Sequence, residues 1–485
     1  MTVALAALPL LLVIGLLASG RVSALTAGAA GLVASVGVAA VSGTRGVEAF
    51  ASFALAQTGI GAWLSWQVIA TLLGGVFLHR SMQARAAPAT TSAAPPDDAT
   101  RHRRLYFVCF MLGPFAECVT GFGVGYIIAL AAIVRLGIGG VPALLLGLYS
   151  QSLVPWGALA IGTSLGSVIG GIDPSRLGTL CALLQIPIHV GYLLLFWRFR
   201  ADAGQPVPST RKLDDALWTA AIVASVWAAH RLIDVEIAGA APLGLLCALR
   251  WWRDERPDAA TAWSTARRAA PYIALTLALV LTRTVPPLQD ALRQAWAWRP
   301  IAGQPAFAPF YAPGFWLFVV GLGTLLVARA PVRPTIGAAV LGAWRPSAVT
   351  LMFVTMAAFY VAGGMAGAIA DALHAAVGPV AALATPLFAA VGGFLTGSGA
   401  GSNAMLMPMQ VALASRVGLP ADWIAAVQNG VTANLTMLSP IRVSMGVAIL
   451  ALAGGDSAIY RRAWPLALPP VVTGLLAIAA ALATR

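Results

Sequence analysis

Apolar positions along this chain come in continuous blocks rather than in alternation. Runs at 3–19, 22–41, 57–78, 141–163, 177–197, 215–233, 237–252, 270–288, 313–328, 346–372, 421–450 and 463–483 hold few charges. Blocks of about 20 residues match the thickness of a hydrocarbon core, whereas a barrel strand would alternate. The pattern predicts an all-α polytopic membrane protein with about 12 transmembrane helices. Two further apolar segments, 105–136 and 380–415, are broken by glycine: GPFAECVTGFGVGY at 113–126 and GGFLTGSGAGSN at 392–403. Non-helical backbone is tolerated at membrane depth only where protein buries it or where it lines a wet cavity. Both segments are therefore expected to be re-entrant helical hairpins.

Composition supports this reading. The chain has 485 residues, 59% hydrophobic and 10% charged, with a mean hydropathy of +0.84. That is too little charge for a soluble protein of this size. The net charge of +13 does not point to nucleic acid, because the arginines gather in the connections between apolar runs. With Met1 outside and each hairpin returning to its own side, the basic connections 79–104, 198–214, 253–269, 329–345 and 455–462 all fall in the cytoplasm. Both termini are then expected outside. The run 3–19 lacks a basic leader region and reads as a retained span. His79, His102 and His230 fall at span ends and are expected to be solvated, while Asp371 reads as an interface residue. The four cysteines lack metal or redox spacing, and no phosphate loop, zinc-ligand pair or nucleophile elbow occurs. No cofactor and no enzyme activity are expected.

The same count makes the first hairpin open from the cytoplasm and the second from the exterior, the mark of inverted-topology repeats. The parallel extends downstream. TGFG at 120–123, RLGI at 135–138 and SQSLVPWG at 150–157 answer TGSG at 396–399, RVGL at 416–419 and NLTMLSPIR at 434–442. Pro155 and Pro440 each remove a backbone hydrogen bond in mid-span and break the helix. The chain divides into N-terminal spans and a cytoplasmic linker (1–104), a first repeat core (105–200, broken helix 141–163), connecting scaffold spans (201–345) and a second repeat core with the last span (346–485, broken helix 421–450).

Hairpin tips expose helix N-termini, which attract anions. The candidate contacts are Thr120, Gly121, Phe122, Gly123, Thr396, Ser398, Ser402 and Asn403 at the tips, with Ser150, Gln151, Ser152, Asn429, Thr436 and Ser439 around the breaks. Glu117 is an acid in hydrocarbon. It is either a proton carrier with a raised pKa or a structural acid paired with Arg283 or Arg442. Either arginine is also a possible countercharge for an anionic substrate.

GPFAECVTGFGVG, GGFLTGSGAGSNAML and the Met437–Ser439–Pro440 break resemble the signatures of the lactate permease family. Glu117, Gly121, Phe122, Gly123, Thr396, Gly397, Ser398, Ser402, Asn403 and Asn429 match, and the sequence around Arg283 is similar. The chain departs from that pattern at Cys118 (usually Gly), Gly399 (usually Asp), Thr436 (usually Lys) and Ile441 (usually Gln). An acid and a base are lost together, and Arg442 adds a cation nearby. The resemblance implies import of a small monocarboxylate, of the lactate and glycolate kind, by proton symport across the bacterial cytoplasmic membrane. A sodium-coupled carrier and an anion channel remain alternatives. Substrate, proton and lipid bilayer are the expected partners, and the oligomeric state stays open.

Overall fold

The computed structural model describes residues 1–43, 46–85, 97–202, 204–452 and 456–484. The Ala/Pro/Thr-rich linker expected at 86–96 lies outside these. The described residues form helices joined by turns, with one isolated antiparallel bridge between Trp298 and Phe307. Six helices are long and apolar enough to cross a membrane alone, and two bent pairs raise this to eight. Of the other expected spans, some are shorter, such as Val3–Ala18 and Pro313–Ala328, one is divided by proline into Ala421–Leu435 and Pro440–Ile449, and Ser209–Leu232 is long enough but is not among the helices apolar enough to count.

Both glycine-broken segments are hairpins. In the first, Gly113–Thr120 and Val124–Arg135 are the arms, and Gly121, Phe122 and Gly123 turn the chain at φ 69°, 54° and 85°. Gly125 lies against Gly113 and Glu117 of the facing arm. Ahead of Pro114, residues Val108–Leu112 widen into a π turn, with the Gly113 N–H donating to the Val108 carbonyl. A proline cannot donate in the α register, and the wider turn absorbs the mismatch. In the second hairpin the arms are Thr385–Thr396 and Gly399–Val417, joined at Gly397 with φ 60°.

The breaks fall at the two prolines. Gly140–Leu148 runs through short 3-10 turns into Gly157–Gly170, and the two parts bend by 54°. Ala158, Leu159 and Ala160 adopt left-handed dihedrals at the start of the second part. Such residues cost roughly 1–2 kcal/mol each. Each hairpin tip touches both breaks. Gly121 lies against Ala158 of its own half and Gly123 against Arg442 of the other; Gly397 lies against Ser439 of its own half and Gly399 against Gly162 of the other.

The apolar interior forms two main bodies. One unites the first hairpin, the helices that follow it and the last helix. The other unites Val3–Ala18, Ala24–Ser42, Val47–Arg85 and Val332–Ala362. Gly157–Gly170 and Gly399–Val417 contribute residues to both bodies, so the polar centre sits on their boundary. Small residues let the scaffold helices close up, as in other membrane bundles. Gly75 approaches the Thr120 carbonyl, and Gly314 lies against the backbone of Ala70.

Two histidines expected to be solvated are buried. His102 is 3% exposed; Arg200 donates to its Nδ1, leaving Nε2–H to donate to Asp215. His230 accepts the Trp156 indole N–H at 3.0 Å. The partners of both come from distant helices, so position near a span end does not reveal them. Asp371 forms an exposed ion pair with Arg416.

On this packing, Gly314→Leu should lower stability by about 1–3 kcal/mol through overpacking. A Cβ there would sit 2.5 Å from the Ala70 carbonyl oxygen. A Cβ at Gly323 on the same helix meets nothing within 4 Å, so Gly323→Leu should cause no comparable loss in melting temperature. A thermal melt of the detergent-solubilised pair checks the contrast.

Candidate functional site

The first hairpin folds its own acid onto its own second arm. Once Gly121 ends the first arm, the positive-φ turn brings the amides that open the second arm back over Glu117. Its Oε1 accepts the Gly123 N–H at 3.0 Å, and its Oε2 accepts the Gly125 N–H at 3.1 Å. A carboxylate suits a helix N-terminus, where free N–H groups and the positive dipole end converge. Arg442 comes from the far half, with Nη2 3.4 Å from Glu117 Oε1 and side-chain exposures of 9% and 3%. Pro440 starts that helix, and the Ser439 hydroxyl accepts the Arg442 N–H at 3.4 Å. The Arg442 Nε has no hydrogen-bond partner among the described residues.

In the second half, aligning TGSG with TGFG sets Gly393 opposite Glu117. Gly393 packs against the Thr432 carbonyl, where a side chain has no room. The second hairpin offers a neutral polar network instead. Asn403 Nδ2 donates to the Gly162 carbonyl at 3.0 Å and to Asn429 Oδ1 at 2.7 Å. Asn429 Nδ2 in turn donates to Thr163 Oγ1 at 2.9 Å and Cys181 Sγ at 3.2 Å. Ser402 and Thr432 share a hydroxyl–hydroxyl bond of 3.0 Å, and Gln428 donates to Thr432. These bonds tie the second hairpin to the broken helix of the first half.

Other predicted residues divide by what holds their polar atoms. The hydroxyls of Thr120, Thr396 and Thr436 donate to carbonyls of their own helices, at Ala116, Gly392 and Ala433. Ser398 caps the second arm by accepting the Gly401 N–H. Ser150, Gln151 and Ser152 are fully buried at the first break, where Ser150 faces Gly113. The half-buried Phe122 packs on the scaffold body. Arg283 joins none of these groups. It donates to Glu236 at 2.7 Å and to the Tyr311 carbonyl at 2.6 Å, stacked over the Tyr311 ring.

Thr163, Gln428 and Thr432 belong to the network and were not singled out from sequence. Gln428 and Thr432 recur four positions apart inside an apolar run, a spacing that places them on one helix face. Thr163 carried no such signal.

The profile for L-lactate permease matches residues 2–230 and 305–483. The glycolate permease GlcA of Escherichia coli K12 is 23% identical, over 94% of this chain and 91% of that protein. The L-lactate permease of the same strain is 23% identical, over 83% and 81%. Among solved structures, the YdaH transporter of Alcanivorax borkumensis aligns with a TM-score of 0.47 and 14% identity, over 90% of this chain and 89% of that one. The matched profile takes in both hairpins, both breaks, Glu117 and Arg442. The chain is a multi-pass membrane transport protein rather than an enzyme, and it belongs to the L-lactate permease family.

Proposed function

We propose that the protein imports a small 2-hydroxymonocarboxylate, of the lactate or glycolate kind, by proton symport across the bacterial cytoplasmic membrane, with both termini outside. The permeases that it resembles support the substrate class. The observation that carries the mechanism is the buried pair of Glu117 and Arg442 at the first hairpin tip.

Glu117 holds the helix N-terminus and faces the guanidinium as a substrate carboxylate would. A proton on Glu117 weakens its hold on both, and the incoming anion takes its place. Empty, the site has one negative and one positive charge. Fully loaded, it has neutral Glu117, the substrate anion and Arg442, again with no net charge. Either half-loaded state leaves a full unpaired charge in hydrocarbon, which costs at least about 2.5–3.5 kcal/mol on insertion scales. Coupling follows from this difference. Ser398, Ser402, Asn403 and Ser439 are the groups assigned to the substrate hydroxyl, with Asn429 positioning Asn403. Phe122 supplies an apolar wall.

Sodium is the second reading, favoured by one observation. The buried amide oxygens Asn403 Oδ1 and Gln428 Oε1 have no hydrogen-bond partner among the described residues. Broken helices in secondary transporters hold Na⁺ with freed backbone carbonyls, and these two amide oxygens would complete such a set.

Uptake of labelled lactate or glycolate into proteoliposomes separates the two, because a pH gradient should drive it without sodium. Glu117→Gln, which mimics the protonated acid, should keep substrate exchange yet lose accumulation against a gradient. Accumulation at the wild-type level in that variant would refute the proton role. Arg442→Met should destabilise the protein by about 3–5 kcal/mol, since it strands a buried carboxylate. The double variant Glu117→Gln, Arg442→Met should recover most of that loss in a thermal melt, while binding no carboxylate.

A further inference from the structure

A cavity of about 500 Å³ lies away from the hairpin tips, beneath the Trp-rich segment 295–312. Its floor is the second part of the first broken helix, through Leu159, Ile161, Ser164 and Leu165. Other residues of that helix, Gly162 and Thr163, bond Asn403 and Asn429. A single helix therefore separates the cavity from the central polar network.

The roof is built, not loose. Trp298 and Phe307 exchange both backbone hydrogen bonds, at 2.8 and 3.0 Å. Trp63 and Gln67 of the scaffold helix Val47–Arg85 donate to the Pro305 carbonyl. The charges around the cavity are arranged unequally. Glu236 is held by Arg283, while Asp234 accepts the Tyr311 hydroxyl and lies 3.8 Å from Arg293. Arg299, exposed, lines the same cavity and has no ion-pair or hydrogen-bond partner among the described residues. Of the three charged residues that line the cavity, Glu236 is matched by Arg283 and Arg293 by Asp234, which leaves Arg299, on the roof, as the unmatched positive charge.

We propose that this cavity, beneath the loop 289–312 that the positive-inside topology places outside with both termini, is an outer anion vestibule, in which Arg299 collects a small carboxylate before it reaches the hairpin tips. Its largely apolar walls suit the short alkyl part of such an anion, and its remaining cation suits the carboxylate. Field lines from one unpaired charge in a cleft with low-dielectric walls raise the local anion concentration. The assignment rests on the reading of the protein as an organic-anion carrier.

The test needs no transport, so it can fail separately from that reading. All four native cysteines are buried, and Ala306 is an exposed lining residue. Ala306→Cys therefore supplies a reporter thiol. Intact cells are treated with membrane-impermeant methanethiosulfonates bearing a sulfonate or a trimethylammonium group, and the two modification rates are compared. Arg299→Gln should slow the anionic reagent and speed the cationic one by about twofold each, lowering the rate ratio about fivefold, the effect of one unit charge roughly 8 Å away in water. Arg299→Glu should lower it further, Arg299→Lys should restore it, and 1 M salt should flatten all differences. The same ratio in all four proteins overturns the vestibule, as does labelling that appears only after the cells are lysed.

Discussion

Hydrocarbon does not tolerate an isolated charge, and the centre of this protein is arranged around meeting that constraint twice over. Glu117 and Arg442 neutralise each other, and the amides of Gly123 and Gly125 complete the solvation of the acid. Much of the surrounding sequence serves that geometry. Gly121 and Gly123 take the positive dihedrals that fold the second arm back over the acid. Pro440 and Ser439 start and cap the helix that delivers the arginine. Gly75 brings the scaffold close behind the tip. Burying such a pair is weak evidence for stability, because desolvation offsets the attraction. Its retention fits a site where one partner is to be exchanged for a ligand.

The polar centre lies between two apolar bodies, and Gly157–Gly170 and Gly399–Val417 are among the helices that take part in both. The neutral bonds among Asn403, Asn429 and Thr163 tie the second hairpin to the first broken helix across this boundary. Displacement of one half is therefore transmitted to the other.

The hairpins and breaks were legible because glycine and proline act locally. TGFG, TGSG, Pro155 and Pro440 mark their positions whatever packs around them. The acid at 117 was legible as an anomaly in an apolar run. Its partner was open between Arg283 and Arg442, since a pair 325 residues apart leaves no local trace. His102 and His230 were misplaced for the same reason, as their partners lie on distant helices. The hydroxyls of Thr120 and Thr396 look like ligand groups in a motif, yet each donates to the carbonyl four residues earlier. The left-handed turn at Ala158–Ala160 contains no glycine, so nothing in its residue types announces it.

Gly393, tucked against the Thr432 carbonyl opposite the position of Glu117, gives the two-fold arrangement a direction. A pair of identical halves would present the same chemistry to both sides of a membrane, and their exchange would leave the energy unchanged. Here one half carries an ionisable arm and the other cannot accommodate a side chain at that point. The two faces of the carrier are therefore distinct in kind, and approach from one side meets a different barrier from approach by the other. The gradients alone still decide where the substrate comes to rest.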